Sequence, residues 1–317
     1  MKRIFITRPL PDMVLAEAEK HFRVEVREKT TPLSRTERRA AMALYDAILP
    51  TLGDNFNEQV LAGGPHRCKL LANFGVGYNH IDVQAAAKND VRVTNTPGAV
   101  TDATADIALM LMLMTCRRAG EGERLVRAGQ WQGWHPTQML GMHLSGKKLG
   151  IVGMGRIGQA IAQRAHFGFG MKIAFFNRSP KAVDVPAVQA SSLIALAGQV
   201  DLLVVAVPGG AETNHLINAD VFKAMQPHAH FVNIARGDVV DEHALITALT
   251  TGEIAGAGLD VYENEPNVPE ALMALENVTL LPHLGTAALE VRTAMGLMAV
   301  ENLRAFFAGE DLPNPVN

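Results

Sequence analysis

Three kinds of polar side chain stand just beyond apolar runs of the chain, and their chemistries complement one another. Arg236 follows Phe231-Val232-Asn233-Ile234-Ala235, Glu263 and Glu265 follow Gly258-Leu259-Asp260-Val261-Tyr262, and His283 follows Leu280-Leu281-Pro282. A guanidinium can grip a carboxylate through two parallel hydrogen bonds and polarise a neighbouring carbonyl. An imidazole can deliver a proton near neutral pH. A carboxylate can orient that imidazole and favour its charged form. The set suits reduction of a 2-oxo acid. Each member alone has a plainer reading: the chain has 11 histidines, Arg236 could open a surface helix, and the glutamates could form a solvated acidic loop. Their joint placement, in this order after three strand-like runs, is what ties them to one site.

Such a reduction needs a hydride, and the chain carries the fingerprint of a dinucleotide site. Lys148-Leu149-Gly150-Ile151-Val152 runs into Gly153-Met154-Gly155-Arg156-Ile157-Gly158, and a helical pattern follows over Gln159–His166. In this strand–turn–helix context Gly153 allows the tight turn, Gly155 lets a pyrophosphate approach the backbone, and Gly158 lets helix and strand pack closely. The phosphates then meet free N–H groups at the helix start. A second strand, Met171–Asn177, follows the glycines. It ends at the spacing from Gly158 where an acidic residue normally holds the ribose 2′-hydroxyl of NAD. Here the residues are Asn177, Arg178 and Ser179. They offer no carboxylate to repel a 2′-phosphate, and a guanidinium and a hydroxyl to bind one. The expected cofactor is NADP(H), with NAD(H) as the second choice.

The elements that must position these groups alternate strand and helix. Strands are expected at Lys2–Thr7, Arg23–Arg27, Ala47–Pro50, Leu70–Asn73 and Val91–Thr94. Helices are expected at Pro11–His21 and at Ser34–Met42, where Ser34 and Glu37 form a capping box. One long helix is expected over Thr101–Arg118. A second set of strands covers Leu149–Val152, Ile173–Phe176, Leu202–Val207, His230–Asn233, Ile254–Leu259 and Thr279–Leu281, and a C-terminal helix covers Ala287–Phe307. This alternation implies the α/β class with two doubly wound parallel sheets. The expected division is a discontinuous, flavodoxin-like substrate domain of residues 1–98 and 286–317, interrupted by a Rossmann dinucleotide-binding domain of residues 99–285.

Composition agrees with a cofactor-dependent enzyme. The chain has 317 residues and is 48% hydrophobic and 19% charged. That is enough for two domains, each able to bury a core. A net charge of −3 gives no reason to expect nucleic acid or an anionic membrane as partner. Cys68 and Cys116 are too few for a disulfide framework and are expected as buried small hydrophobes in the cytoplasm. Met1–Thr7 reads as a strand rather than a signal peptide, and the apolar stretch Ala108–Met114 is too short to span a membrane. No metal site is expected, because no His/Cys/Asp cluster has ligand spacing.

Taken together, these motifs resemble the D-isomer-specific 2-hydroxyacid dehydrogenase family along essentially the whole chain. The resemblance is carried by Asn73-Phe74-Gly75-Val76-Gly77-Tyr78-Asn79-His80-Ile81-Asp82, Asn95-Thr96-Pro97-Gly98, Gly153–Gly158, Ala206-Val207-Pro208, Asn233–Gly237, Gly258–Pro266 and Pro282–Gly285. Within the family it is most similar to the glyoxylate/hydroxypyruvate reductase branch, which includes 2-ketogluconate reductases. The resemblance implies Arg236 as the catalytic arginine, Glu265 rather than Glu263 as the glutamate, and His283 as the acid/base. It implies that the Val76 and Gly77 amides grip the substrate carboxylate, and the Gly75-x-Gly77 turn suits such an anion nest independently. Cofactor contacts are implied at Thr104, Arg156, Ile157, Val207, Pro208, Thr213, Ile234, Ala235, Asp260 and Gly285, besides the three glycines and residues 177–179. It further implies a homodimer through an arm around residues 100–146, with Trp134 reaching the partner's active site. The expected reaction is NADPH-preferring reduction of glyoxylate or hydroxypyruvate, with 2-ketogluconate as a further substrate. The alternatives are a formate or phosphite dehydrogenase relative, and a non-catalytic NAD(P)-sensing protein of the corepressor kind.

Overall fold

The computed structural model describes residues 1–62, 64 and 66–317. Among the described residues no helix is long and apolar enough to cross a membrane. The chain forms two compact units, Met1–Val100 with Thr286–Asn317, and Thr101–Gly285.

The first unit begins with β1 (Arg3–Ile6), α1 (Asp12–His21), β2 (Arg23–Val26), α2 (Arg35–Leu44), β3 (Ala47–Leu49), α3 (Glu58–Leu61), β4 (Leu70–Ala72), α4 (Val83–Lys88) and β5 (Arg92–Thr94). The five strands pair in parallel in the order β2-β1-β3-β4-β5. β3 and β4 are buried along their whole length, as unbroken apolar runs in a parallel sheet require. The sequence signal at α2 is realised in full. Ser34 Oγ accepts from the Glu37 N–H at 3.2 Å, and Glu37 Oε2 accepts from the Ser34 N–H at 2.7 Å. Such a reciprocal cap stabilises a helix start by about 1 kcal/mol.

In the second unit the helix expected over Thr101–Arg118 is α5 (Thr101–Cys116), and a further helix, α6 (Ala119–Arg127), follows it. Arg118 separates them in a left-handed conformation, φ 54°. No right-handed helix continues through such a residue. β6 (Lys148–Val152), α7 (Arg156–Phe169), β7 (Lys172–Phe176), β8 (Ala187–Gln189), α8 (Leu193–Ala197), β9 (Leu202–Val205), α9 (Ala219–Ala224), β10 (His230–Asn233), α10 (Glu242–Thr251), β11 (Gly256–Leu259), α11 (Glu270–Met273) and β12 (Val278–Leu280) follow. All seven strands are parallel, ordered β12-β11-β10-β9-β6-β7-β8. The strand order reverses between β6 and β9, the place where open α/β sheets bind ligands beyond their carboxyl ends. α7 starts inside the fingerprint, ahead of the expected Gln159, because Gly155 caps it. α5 lies on β10 and β11. A Cβ at Gly258 would come within 3.1 Å of Leu111 Cβ, so the bare glycine lets the helix seat closely. Cys68 and Cys116 are both buried, and burial pushes each thiol up to about 12. Finally α12 (Leu289–Ala308) returns the chain to the first unit, where it packs on α1 and β4.

Candidate active site

Arg236, Glu265 and His283 all belong to the second unit, each just beyond a neighbouring parallel strand: β10, β11 and β12. The approach of the first two loops is forced by Gly237. A Cβ there would overlap the Tyr262 carbonyl carbon, so no side chain fits. The extended backbone at Arg236 thus runs against the Tyr262–Glu263 peptide. Arg236 is half-buried and its Nη1 donates to its neighbour's carbonyl, Ala235 O, at 2.6 Å. Burial lowers the pKa of the guanidinium, while the negative charges of Glu265 and Asp238 act to raise it.

The central contact joins His283 Nδ1 to Glu265 Oε2 at 2.8 Å. The two side chains keep 28% and 30% of their surface exposed. Burial would push the Glu265 carboxyl up, but the His283 hydrogen bond and charge, the Tyr262 N–H and Arg236 outweigh it and hold the carboxyl below its ordinary value. Glu263, the other glutamate of the loop, faces elsewhere: its Oε1 meets His215 Nε2 at 2.9 Å. The two glutamates are thus sorted by the loop geometry.

His283 itself has φ 55°. This left-handed conformation is uncommon for a non-glycine residue. Asp260 over-determines the turn, as a strained backbone requires. It is 2% exposed, and its carboxylate accepts from the Leu284 N–H at 2.6 Å and the Gly285 N–H at 2.8 Å. Thr104 Oγ1 adds a bond to Gly285 O at 3.2 Å. Asp260 and Thr104, expected as cofactor contacts, therefore also fix the turn that presents His283. Tyr262 ties the remaining pieces together. Its N–H donates to Glu265 Oε1 at 3.1 Å and its hydroxyl to Leu281 O at 2.9 Å. Nothing in residue type or spacing singled Tyr262 out, which lies buried in the loop after β11.

The glycine loop fits a dinucleotide. Gly153 has φ 96°, and a Cβ would meet Val207 Cγ1 at 2.7 Å. At Gly158 a Cβ would overlap Gly153 O. At Gly155 a Cβ would meet nothing within 4 Å. Open space therefore lies over the loop where a phosphate must approach. Val207 borders this loop, and Thr213 Oγ1 donates to Pro208 O at 2.7 Å. Ile157 is half-buried and Arg156 exposed at the start of α7; Ile234 and Ala235 are buried at the end of β10. Asn177 Oδ1 accepts from the Met154 N–H at 3.3 Å, joining the end of β7 to the glycine loop. No carboxylate occurs within the 177–179 turn, but Glu212 brings one to it from the loop after β9, accepting from Arg178 Nη1. The two residues lie too far apart in the chain for a local motif to reveal the pairing.

In the first unit the turn after β4 has its carbonyls engaged from within. Asn73 Nδ2 donates to Gly75 O and Gly77 O, both at 3.0 Å, and Asn95 Nδ2 donates to Val76 O at 2.9 Å. Gly75 has φ 155°. Anchoring the carbonyls in this way suits a turn whose amides are to receive an anion. Trp134 is 80% exposed, in a segment without helix or strand.

These features define a nicotinamide-dependent oxidoreductase: the chain belongs to the D-isomer specific 2-hydroxyacid dehydrogenase family, whose NAD binding domain model matches residues 109–285. It is an enzyme acting on 2-hydroxy acids. It is 43% identical to the glyoxylate reductase of Pyrococcus furiosus, over 99% of this chain and 95% of that protein. It is 36% identical to the glycerate dehydrogenase of Hyphomicrobium methylovorum, over 98% of both. Among solved structures it is similar to an NADPH-dependent glyoxylate/hydroxypyruvate reductase from Sinorhizobium meliloti in complex with NADP and malonate. That likeness has a TM-score of 0.88 and 39% identity and covers 99% of this chain and 96% of that one.

Proposed function

We propose that this chain is a glyoxylate/hydroxypyruvate reductase that prefers NADPH, with 2-ketogluconate as a further substrate. The observation that carries the reading is the Glu265–His283 hydrogen bond set beside a half-buried Arg236. When bound, the cofactor supplies a hydride to the substrate carbonyl carbon. The Gly153–Gly158 loop holds its phosphates, and residues 177–179 hold the adenosine ribose. Arg236 binds the 2-oxo acid carboxylate, and in the first unit the amides of Val76 and Gly77 suit an anion of the same kind. With Nδ1 engaged by Glu265, Nε2 of His283 is the nitrogen left to give a proton to the carbonyl oxygen. The formate and phosphite readings lose ground because those substrates have no 2-oxo carbonyl to occupy this acid. Steady-state rates with glyoxylate, hydroxypyruvate and 2-ketogluconate, each with NADPH and NADH, test the proposal; no turnover with any 2-oxo acid would leave a sensor of NAD(P)(H) instead.

Two further outcomes follow from the geometry. Glu265, held below its ordinary value, is ionised through the neutral range; the pair is fully formed at neutral pH and is lost as pH falls through that lowered pKa. Glu265→Gln has no carboxyl to protonate at that position, so the acid limb of the kcat/KM profile that Glu265 sets is expected to disappear in the variant. A pH series on both proteins checks this, and an unchanged limb would remove Glu265 as the histidine's partner. In the cofactor site, Arg178→Ala is expected to cost about 10-fold in kcat/KM with NADPH, since a charged hydrogen bond is worth roughly 1.5–3 kcal/mol, and little with NADH. Equal losses with both cofactors would make Arg178 a loop residue.

The assembly proposed is a homodimer through the arm around residues 100–146. Val126, Trp131, Trp134 and Leu140 are 59%, 53%, 80% and 68% exposed there. An apolar and aromatic series of this kind suits an interface core. In such a dimer Trp134 would reach the partner's site and narrow its pocket. A light-scattering mass reads the assembly directly, and a monomer would refute it.

A further inference from the structure

Two loops of the second unit bring opposite charges together where the cofactor's adenosine ribose is expected. Arg178 follows β7, and its Nη1 donates to the carboxylate of Glu212, which follows β9. Both head groups are exposed, at 79% and 78%. Their backbones, in contrast, are built into closed turns. On the Arg178 side, Asn177 Nδ2 donates to Ser179 O at 3.0 Å, and Gln189 Nε2 donates to Asn177 O at 3.1 Å and Ser179 O at 3.2 Å. On the Glu212 side, Thr213 N–H donates to Gly210 O at 3.0 Å while its hydroxyl donates to Pro208 O at 2.7 Å. Two fixed turns thus present one cation and one anion to each other at their tips.

We infer that Glu212 is a specificity-determining residue: it competes with the cofactor's 2′-phosphate for Arg178 and so limits the preference for a phosphorylated cofactor. The inference rests on the reading of Arg178 as the phosphate ligand. An exposed ion pair is weak, so a dianionic phosphate displaces Glu212 from Arg178. The displaced carboxylate nevertheless stays on a fixed turn close to the phosphate and repels it. A ribose with a free 2′-hydroxyl brings no charge and leaves the ion pair intact. Glu212 therefore does from the β9 loop what an acidic residue at the end of β7 does elsewhere: it favours the unphosphorylated ribose.

Binding to the full-length protein without nicotinamide tests this apart from catalysis. Calorimetric affinities are measured for adenosine 2′,5′-bisphosphate and adenosine 5′-phosphate with the native protein, Glu212→Gln, Arg178→Ala and the double variant. Glu212→Gln is expected to bind the bisphosphate about 3–10-fold more tightly, with no gain for the monophosphate, and that gain is expected to shrink when Arg178 is absent. Glu212→Asp, which keeps the charge, is expected to restore native discrimination. If Arg178→Ala loses the bisphosphate selectively but Glu212→Gln tightens nothing, or tightens both ligands alike, the inference falls and the cofactor reading stands. A gain of the same size with and without Arg178 also overturns competition. If the native protein does not favour the bisphosphate and Arg178→Ala affects both ligands equally, the cofactor reading itself fails.

Discussion

Replacing His283 by Ala is expected to lower kcat for 2-oxo acid reduction by about 10²–10⁴-fold, the usual contribution of a positioned proton donor. Cofactor affinity should survive, because the substitution leaves the glycine loop and the 177–179 turn in place. The magnitude reflects preorganisation. Glu265 fixes Nδ1 at 2.8 Å and Asp260 fixes the two amides that follow. The imidazole is therefore presented without further ordering. Since His283 sits at φ 55°, Ala could also disturb the turn. His283→Asn separates the effects: Asn tolerates the left-handed region but donates no transferable proton at neutral pH. Both variants should bind cofactor and both should be slow. Near-normal turnover by either would remove His283 from the reaction.

Arg236→Gln is expected to lower kcat/KM by about 10²-fold or more, from the loss of two charge-assisted hydrogen bonds worth roughly 1.5–3 kcal/mol each. The loss should appear in KM and kcat together, because the carboxylate is gripped both before and during carbonyl polarisation. Arg236→Lys should recover only part of it, since an ammonium cannot form the planar fork. The substitution also takes a positive charge away from Glu265 and Asp238, so thermal unfolding of each variant is needed alongside. A kcat/KM within a few-fold of native, in a folded variant, would contradict the assignment.

The parts of the site written in short stretches of chain were legible beforehand. Gly153, Gly155 and Gly158 do, in the fold, what their spacing indicates: one turns, one leaves space, one lets helix meet strand. Arg236, Glu265 and His283 follow three adjacent strands because parallel sheets gather successive strand ends along one edge. Choosing Glu265 over Glu263 needed the family resemblance, because the sequence alone presents two carboxylates side by side in one loop. What stayed hidden depends on distant chain meeting in space. Asp260 clamping the Leu284 and Gly285 amides, Tyr262 reaching Leu281, His215 taking Glu263, and Glu212 reaching Arg178 all join residues with no shared motif. The short elements were illegible for a different reason. β8 and helices such as α3, α8, α9 and α11 have too few residues to show a period. α6, which the expected elements lack, begins just after the left-handed Arg118, with no proline to announce it.

The most direct measurement of the whole assignment follows one hydride and one proton. NADPH deuterated at the transferable position of the nicotinamide is incubated with hydroxypyruvate and the native protein, and the product is examined for isotope content and configuration. The expected product is the D-2-hydroxy acid, glycerate, with deuterium at C2, formed much faster than by His283→Asn under the same conditions. No deuterium at C2, or the same rate from the native protein and His283→Asn, would contradict it.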